Sequence, residues 1–267
     1  MAKLWKRKRP PREEKPFRER LKIAGKVLDD PTVDIIVRFI NNKLLKSLDY
    51  PIAEGKESTV FRATAGENEV AKQFAKEFGN NFFAVKIFKY ETSAFLHMSK
   101  YIEGDPRFKH AKHKKRPLVQ QWAAKEFANL GEAFKAGAPV PRPVKRKQNV
   151  VVMQFIGTEE GRPYALLQQV VLQEPEKVLQ KILEGILKLY QSGLVHADLS
   201  PYNILIRLGE SGKEQPVFID MGQAVLLQHP RAQKFLEHDV QTILNYFKKL
   251  GVEADFQEEL DKIVGKS

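Results

Sequence analysis

Val195-His196-Ala197-Asp198-Leu199-Ser200-Pro201-Tyr202-Asn203-Ile204-Leu205 is the stretch on which the fold turns. Asp198 and Asn203 stand five residues apart, with Pro201 between them and the apolar run Ile204-Leu205-Ile206 after them. That spacing matches the phosphotransferase loop H-x-D-L-x-x-x-N, in which the aspartate handles the acceptor hydroxyl and the asparagine binds magnesium. Magnesium takes hard oxygen ligands and needs one or two carboxylates beside the phosphates. Asp220 supplies the second carboxylate: it closes the run Val217-Phe218-Ile219 and precedes Met221-Gly222, the place of the D-F-G aspartate. Asp198 or Asn203 alone would more often cap a turn. The two at this distance, ahead of a strand-Asp-x-Gly, point to catalysis instead. His196 is expected only to brace the loop.

Upstream, Phe82-Phe83-Ala84-Val85-Lys86-Ile87-Phe88 is rich in aromatic and β-branched residues and reads as a strand. Its Lys86 fits the strand lysine that pairs with nucleotide phosphates, and that lysine needs a carboxylate on the following helix. Glu126, 40 residues on, is the best candidate, and Glu132 is the fallback. Gly55-Lys56-Glu57-Ser58-Thr59 sits at the turn between two extended stretches, where a phosphate loop belongs, but G-x-G-x-x-G is absent. Backbone N–H groups at Gly55 and the hydroxyls of Ser58 and Thr59, with Lys56, are then expected to cradle the phosphates. After Val152-Met153, the backbone of Gln154 and Ile156 is expected to face adenine at the junction of two halves.

The two halves differ in character. Before Gly157 the chain is strand-rich; after it, Pro175–Gln191 is a clean amphipathic helix and the sequence from Arg231 onward is helical in pattern. An opening helix follows Asp30-Pro31, with apolar residues at Val33, Ile36, Val37, Ile40 and Leu44. A further helix covers about Leu118 to Lys135. Between Tyr90 and Arg116 lies a polar, basic stretch of about 27 residues, longer than compact domains usually tolerate without function or mobility. The organisation expected is a basic disordered arm over 1–30, a nucleotide-binding lobe over 31–157 with a basic insert at 90–116, and a helical lobe over 158–267 that carries the catalytic and metal loops.

Charge is distributed unevenly. The chain has 267 residues, 45 Lys+Arg and 33 Asp+Glu, for a net charge of +12. Up to Lys26, eleven basic residues face three acidic ones, so +8 sits in the arm. Further basic clusters run from Arg107 to Arg116 and through Arg142, Lys145, Arg146 and Lys147. Such runs suit a polyphosphate partner through counterion release and steering, and equally serve as a solubilising tail. With no cysteine, disulfides, thiolate metal sites and thiol nucleophiles are excluded, and a reducing compartment is favoured. No apolar run approaches the roughly 18 residues of a membrane span, and no apolar core follows the basic N-terminus as a secretory signal requires. A cytoplasmic location without membrane contact is expected.

These residues resemble the RIO family of atypical serine/threonine protein kinases, in particular its type-one branch, of archaeal kind. The matching stretches are Gly55-Lys56-Glu57-Ser58, Phe83 to Ile87, Tyr101 to Phe108 including Gly104-Asp105-Pro106-Arg107-Phe108, Trp122 to Leu130, Met153 to Gly157, His196 to Leu205 and Ile219 to Val225. The roughly 50 residues before Pro51 are too few and too basic for the winged helix of the type-two branch. The resemblance implies an α+β, bilobal protein-kinase-like fold with a truncated C-terminal lobe. It implies ATP with Mg2+ (or Mn2+) and serine phosphorylation, including autophosphorylation, for which Ser93 and Ser99 are in place. It also implies a role in maturing the small ribosomal subunit, with the basic arm on the particle or its RNA. Asp198 would be the proton acceptor, Asn203 and Asp220 the metal ligands and Lys86 the phosphate contact. Asp220 is also the residue that an aspartyl-phosphate cycle would use. Ala53-Glu54 replaces the Ser-Thr usual before Gly-Lys-Glu in the family.

Two absences narrow the class. Ala197 stands where an arginine would read a phosphorylated activation loop. Only 45 residues follow Gly222, room for about three helices and no peptide-binding platform. A small-molecule kinase of the aminoglycoside phosphotransferase kind shares the loop pattern but builds its acceptor pocket from more C-terminal helices. An RNA-associated scaffold with an idle kinase fold has no use for Lys86, Asp198, Asn203 and Asp220. The protein substrate is not legible in the sequence.

Overall fold

The computed structural model describes residues 28–91, 101, 105, 107, 115–209 and 212–265. Residues 1–27 of the arm expected over 1–30, most of the 90–116 insert, Ser93 and Ser99 lie outside the described residues, as do Gly104, Pro106 and Phe108; Asp29 and Asp30 belong instead to the start of the first helix.

The first lobe is built on one antiparallel sheet. Its strands are β1 (Leu45–Glu54), β2 (Ser58–Ala65), β3 (Phe82–Phe88), β4 (Pro143–Lys147) and β5 (Val150–Gln154), in the order β1-β2-β3-β5-β4. Lys86 pairs with Val60 on one side and Val151 on the other, so the lysine sits mid-sheet. α1 (Asp30–Asn41) begins where Asp29 accepts a hydrogen bond from Thr32 N, with Pro31 in its first turn. It lays Val33, Ile35, Ile36 and Phe39 on the sheet. α2 (Glu69–Phe78) packs there too, through Ala71 and Phe74, and was not foreseen from the sequence. It has only a narrow apolar stripe, but it carries its own start and stop signals: Asn68 accepts from Ala71 N, and Gly79 ends it in the left-handed conformation.

α3 (Lys115–Lys135) covers the other side of the sheet. It starts three residues earlier than expected, so Lys115 and Arg116 belong to its first turn rather than to the basic insert. Its buried face mixes Leu118, Val119, Trp122 and Leu130 with Lys125, Glu126 and Asn129. Such a face cannot read as a simple apolar stripe, because this helix serves the sheet and the neighbouring loops at once.

The lobes meet at Gly157. A Cβ there would fall 2.3 Å from the Arg162 carbonyl oxygen and from the Phe155 ring, so the crossing is too close for any side chain. The second lobe contains α4 (Pro175–Gln191), the two-residue β6 (Leu194–Val195), the hairpin β7 (Ile204–Leu208) with β8 (Glu214–Phe218), β9 (Val225–Leu226), α5 (Ala232–Lys248) and α6 (Phe256–Val264). Its core gathers Ile182, Leu189, Val195, Phe218, Leu236, Val240 and Phe247. Among the described residues two helices follow the second loop, not about three, because residues 223–231 and 249–255 form a short bridge, turns and connections. This is a kinase-like α+β fold. Among the described residues, no helix is long and apolar enough to cross a membrane.

Candidate active site

Lys86 organises the cleft between the lobes. Its Nζ lies 2.9 Å from both carboxylate oxygens of Glu126, of which Oε1 accepts its hydrogen bond, and 2.9 Å from Asp220 Oδ1. Lys86 and Glu126 are 4% and 1% exposed, whereas the Asp220 side chain remains 47% exposed. Burial opposes the charge on Lys86, but the two carboxylates outweigh it and raise the lysine above its ordinary value. Burial pushes Glu126 up to about 7, against the pull of Lys86. Asp220 is held below the usual carboxylate range: desolvation is outweighed by Lys86. Glu132, the fallback partner, instead pairs with Lys135 at the surface.

The loop that carries Asp198 and Asn203 faces this cluster. Asp198 Oδ2 accepts from Asn203 Nδ2 at 3.1 Å and from Gln223 Nε2 at 3.0 Å. Asn203 Nδ2 also donates to the Asp198 carbonyl at 2.7 Å, which turns its amide oxygen away from Asp198. The two loops are joined by the Ile219 N–H donating to the Asn203 carbonyl at 2.9 Å. Burial, and then the charge of Asp220, raise the Asp198 carboxyl, a useful direction for a group that must accept a proton. Ala197 and Asp220 both hold left-handed backbone, at φ of 66° and 65°. Non-glycine residues rarely do so, and such strain concentrates at functional sites.

The strain at Ala197 is held by Asp239 on α5. That buried carboxylate accepts from the N–H groups of Ala197 at 2.8 Å and Leu199 at 2.9 Å, bracketing Asp198. Nothing near Asp198 in sequence announces it. His196 braces the other side: its Nε2 lies 3.1 Å from the Ile219 carbonyl, so that nitrogen carries the proton, and burial lowers its pKa to about 4. A packed histidine that braces the loop is what the sequence led one to expect.

At the turn expected to cradle phosphates, the Gly55 N–H donates to the Ser58 carbonyl at 2.9 Å, closing a tight turn at the head of β1–β2. Lys56 is exposed, and Ser58 is half-buried. Thr59 is 3% exposed and its hydroxyl is buried with no hydrogen-bond partner, so it does not present itself to a ligand as expected. The lysine anchored here is one the sequence reading passed over: Lys89 Nζ donates to the Gly55 carbonyl at 3.0 Å and pairs with Glu54. Glu57 in the same turn is raised by burial, then by the charge of Asp220, and so joins Glu126, Asp220 and Asp198 as a fourth carboxylate of this cluster. At the lobe junction, the Gln154 N–H is taken by the Arg142 carbonyl and the Ile156 carbonyl by the Tyr164 N–H. The Gln154 carbonyl and the Ile156 N–H are therefore the groups left to meet a base.

The donor set suits a hard divalent cation. The outward part of the Asp220 carboxylate and the Asn203 amide oxygen are oxygen ligands on two hydrogen-bonded loops, beside a lysine that favours anionic phosphate. Together the groups can bind a nucleotide polyphosphate with its metal, orient it, and accept a proton at Asp198.

The RIO domain family model matches residues 59–260. The RIO-type serine/threonine-protein kinase Rio1 of Haloferax volcanii is 36% identical over 247 residues, covering 92% of this chain and 79% of that protein. Rio1 of Methanocaldococcus jannaschii is 36% identical over 255 residues, covering 95% and 81%. Serine/threonine-protein kinase rio1 of Schizosaccharomyces pombe is 35% identical over 85% of this chain, which spans 43% of that longer relative. Among solved structures, the Rio2 kinase of Chaetomium thermophilum in its ADP/Mg2+-phosphoaspartate complex superposes with a TM-score of 0.62 at 22% identity, over 87% of this chain and 66% of that one.

Proposed function

The chain belongs to the RIO family of serine/threonine protein kinases, and from that premise we propose that it transfers the γ-phosphoryl group of ATP in a Mg2+-dependent reaction. The observation that carries this reading is the single lysine ammonium, Lys86, shared between Glu126 and Asp220 and facing the Asp198–Asn203 pair. Bound magnesium would supply charge neutralisation on the phosphates, with Asn203 and Asp220 holding it. Lys86 would bind phosphate oxygens, while Glu126 keeps the lysine extended and charged. Gly55, Lys56 and Ser58 would cover the phosphates, and Gln154 and Ile156 would orient the base.

For transfer to serine, Asp198 takes the acceptor hydroxyl proton as that oxygen attacks the γ-phosphorus. The bond to the β-bridging oxygen breaks and ADP leaves. A second route belongs to the same site. The phosphoaspartate in the Chaetomium Rio2 complex favours it: a carboxylate oxygen of Asp220 displaces ADP and forms an acyl phosphate, which water then cleaves to phosphate and the free carboxylate. In that case the protein cycles as an ATPase. We place this activity in small ribosomal subunit maturation, in the cytoplasm, with the basic residues up to Lys26 engaging the particle or its RNA; the +8 concentrated in that stretch supports it.

Incubation with Mg2+ and γ-labelled ATP, followed by hydroxylamine, tests the chemistry. Label on the protein that hydroxylamine removes identifies the acyl phosphate; label that survives identifies phosphoserine. Absence of any label and of any released phosphate would overturn the proposal.

A further inference from the structure

Helix α3 reaches the metal loop by a second route besides Glu126. Lys125 is fully buried, and its Nζ donates to the Gly222 carbonyl at 2.9 Å and the Ala224 carbonyl at 2.5 Å. One turn on, Asn129 Nδ2 donates to the Met221 carbonyl at 2.8 Å and again to the Ala224 carbonyl at 2.9 Å. Four hydrogen bonds thus fall on three of the four carbonyls that follow Asp220, those of Met221, Gly222 and Ala224. Asn129 is itself oriented, because its Oδ1 accepts from Arg107 at 2.9 Å, and Arg107 is paired with the buried Asp105. Trp122 completes the face: a Cβ on Gly222 would lie 3.0 Å from its Nε1, and its ring lies 5.3 Å from the Lys125 ammonium.

A buried ammonium is costly, and burial lowers this one to about 7. Carbonyls in a loop could find neutral partners at less expense, so the position calls for a reason beyond satisfying acceptors. Resting on the metal assignment above, we propose that Lys125 and Asn129 are positioning residues that lock the Asp220 loop to helix α3. They hold Asp220 in its left-handed conformation, with its carboxylate turned to Lys86 and to the metal position. Glu126 lies between them on the same helix, so the lysine contact and the metal loop are set by one rigid element. In this chain a polar clamp keeps the loop in the arrangement that binds metal, with Met221 buried beneath it.

The test separates metal positioning from simple structural support. ADP affinity is measured by calorimetry with EDTA and then with Mg2+, for the wild type, Lys125→Met and Asn129→Ala, with folding checked by circular dichroism. The clamp predicts metal-free affinity within about twofold of wild type in both variants, and a loss of about tenfold in the tightening that Mg2+ produces. Metal-dependent tightening equal to wild type in a folded variant overturns the proposal. So does an equal loss of affinity with and without metal, which is the mark of a merely structural role. If Lys125→Met does not fold, Asn129→Ala decides, since it removes two donors and leaves no charge uncompensated. A wild-type protein whose ADP affinity ignores Mg2+ would overturn the metal assignment of Asn203 and Asp220 instead.

Discussion

Replacing Lys86 with methionine and Glu126 with glutamine, singly and together, puts a number on the contact that joins strand β3 to helix α3. The two side chains are 5% and 1% exposed at 2.9 Å, so neither charge can be hydrated once the other is removed. Lys86→Met strands a buried carboxylate and should cost about 3–5 kcal/mol of stability. Glu126→Gln should cost less, about 1–3 kcal/mol, because Lys86 keeps its second partner, Asp220, at 2.9 Å. The double variant buries no lone charge, so it should lose no more than Lys86→Met alone, a coupling of about 1–3 kcal/mol. The sign with pH follows from Glu126, whose carboxyl burial already pushes from 4.5 to about 7 in the native state. Without Lys86 it rises further, the native state keeps the proton, and stability falls as pH increases above the unfolded value, by up to about 1.4 kcal/mol per pH unit. Urea denaturation of the four proteins from acid pH to about pH 9 measures all of this, and the Lys86→Met deficit should grow above pH 7, where Glu126 is ionised in the wild type and still protonated in the variant. Costs that add within about 0.5 kcal/mol, or a Lys86→Met deficit flat with pH, would refute the buried pair.

Asp239→Asn keeps one acceptor for the Ala197 and Leu199 N–H groups and sets an amide N–H against the other. It should destabilise by about 1–3 kcal/mol and lower turnover more than ATP affinity, read by denaturation beside steady-state kinetics. Gln223→Leu removes a donor to the ionised Asp198, so the acid limb of the pH–rate profile should move to higher pH; an unmoved limb would exclude Asp198 as the base. His196, depressed from 6.5 to about 4, should lose stability as pH falls through that window, because the unfolded state takes up the proton first. Relative to His196→Gln, the loss should reach about 3 kcal/mol, measured by melting at stepped pH.

The parts of the site that are local in sequence were legible there. Asp198, Asn203 and Asp220 fall within 23 residues on two loops, each framed by a short apolar run, and the structure brings the two loops together. Glu126 was reached by asking what Lys86 requires, across a basic insert. The residues that support the site were harder to read. Lys125 and Asn129 are polar residues on a helix, and by periodicity alone they pass for a solvated face; only the loop docked on them makes that face interior. Asp239 left a faint signal, since it lies on the same stripe as Leu236, Ile243 and Phe247, where an acid has no reason to be unless it is bonded. α2 was missed because its apolar stripe is short, although Asn68 and Gly79 mark both ends. The phosphate loop read correctly as a turn but not in detail: Thr59 points inward, and Lys89 holds the Gly55 carbonyl from a strand end 34 residues away.

The most direct measurement is a crystal structure of the protein with ADP and Mg2+. The account predicts a metal at about 2.0–2.1 Å from the Asn203 amide oxygen and an Asp220 carboxylate oxygen, with Lys86 on the phosphates. Metal bound with neither of those oxygens, or nucleotide seated away from Lys86, would contradict it.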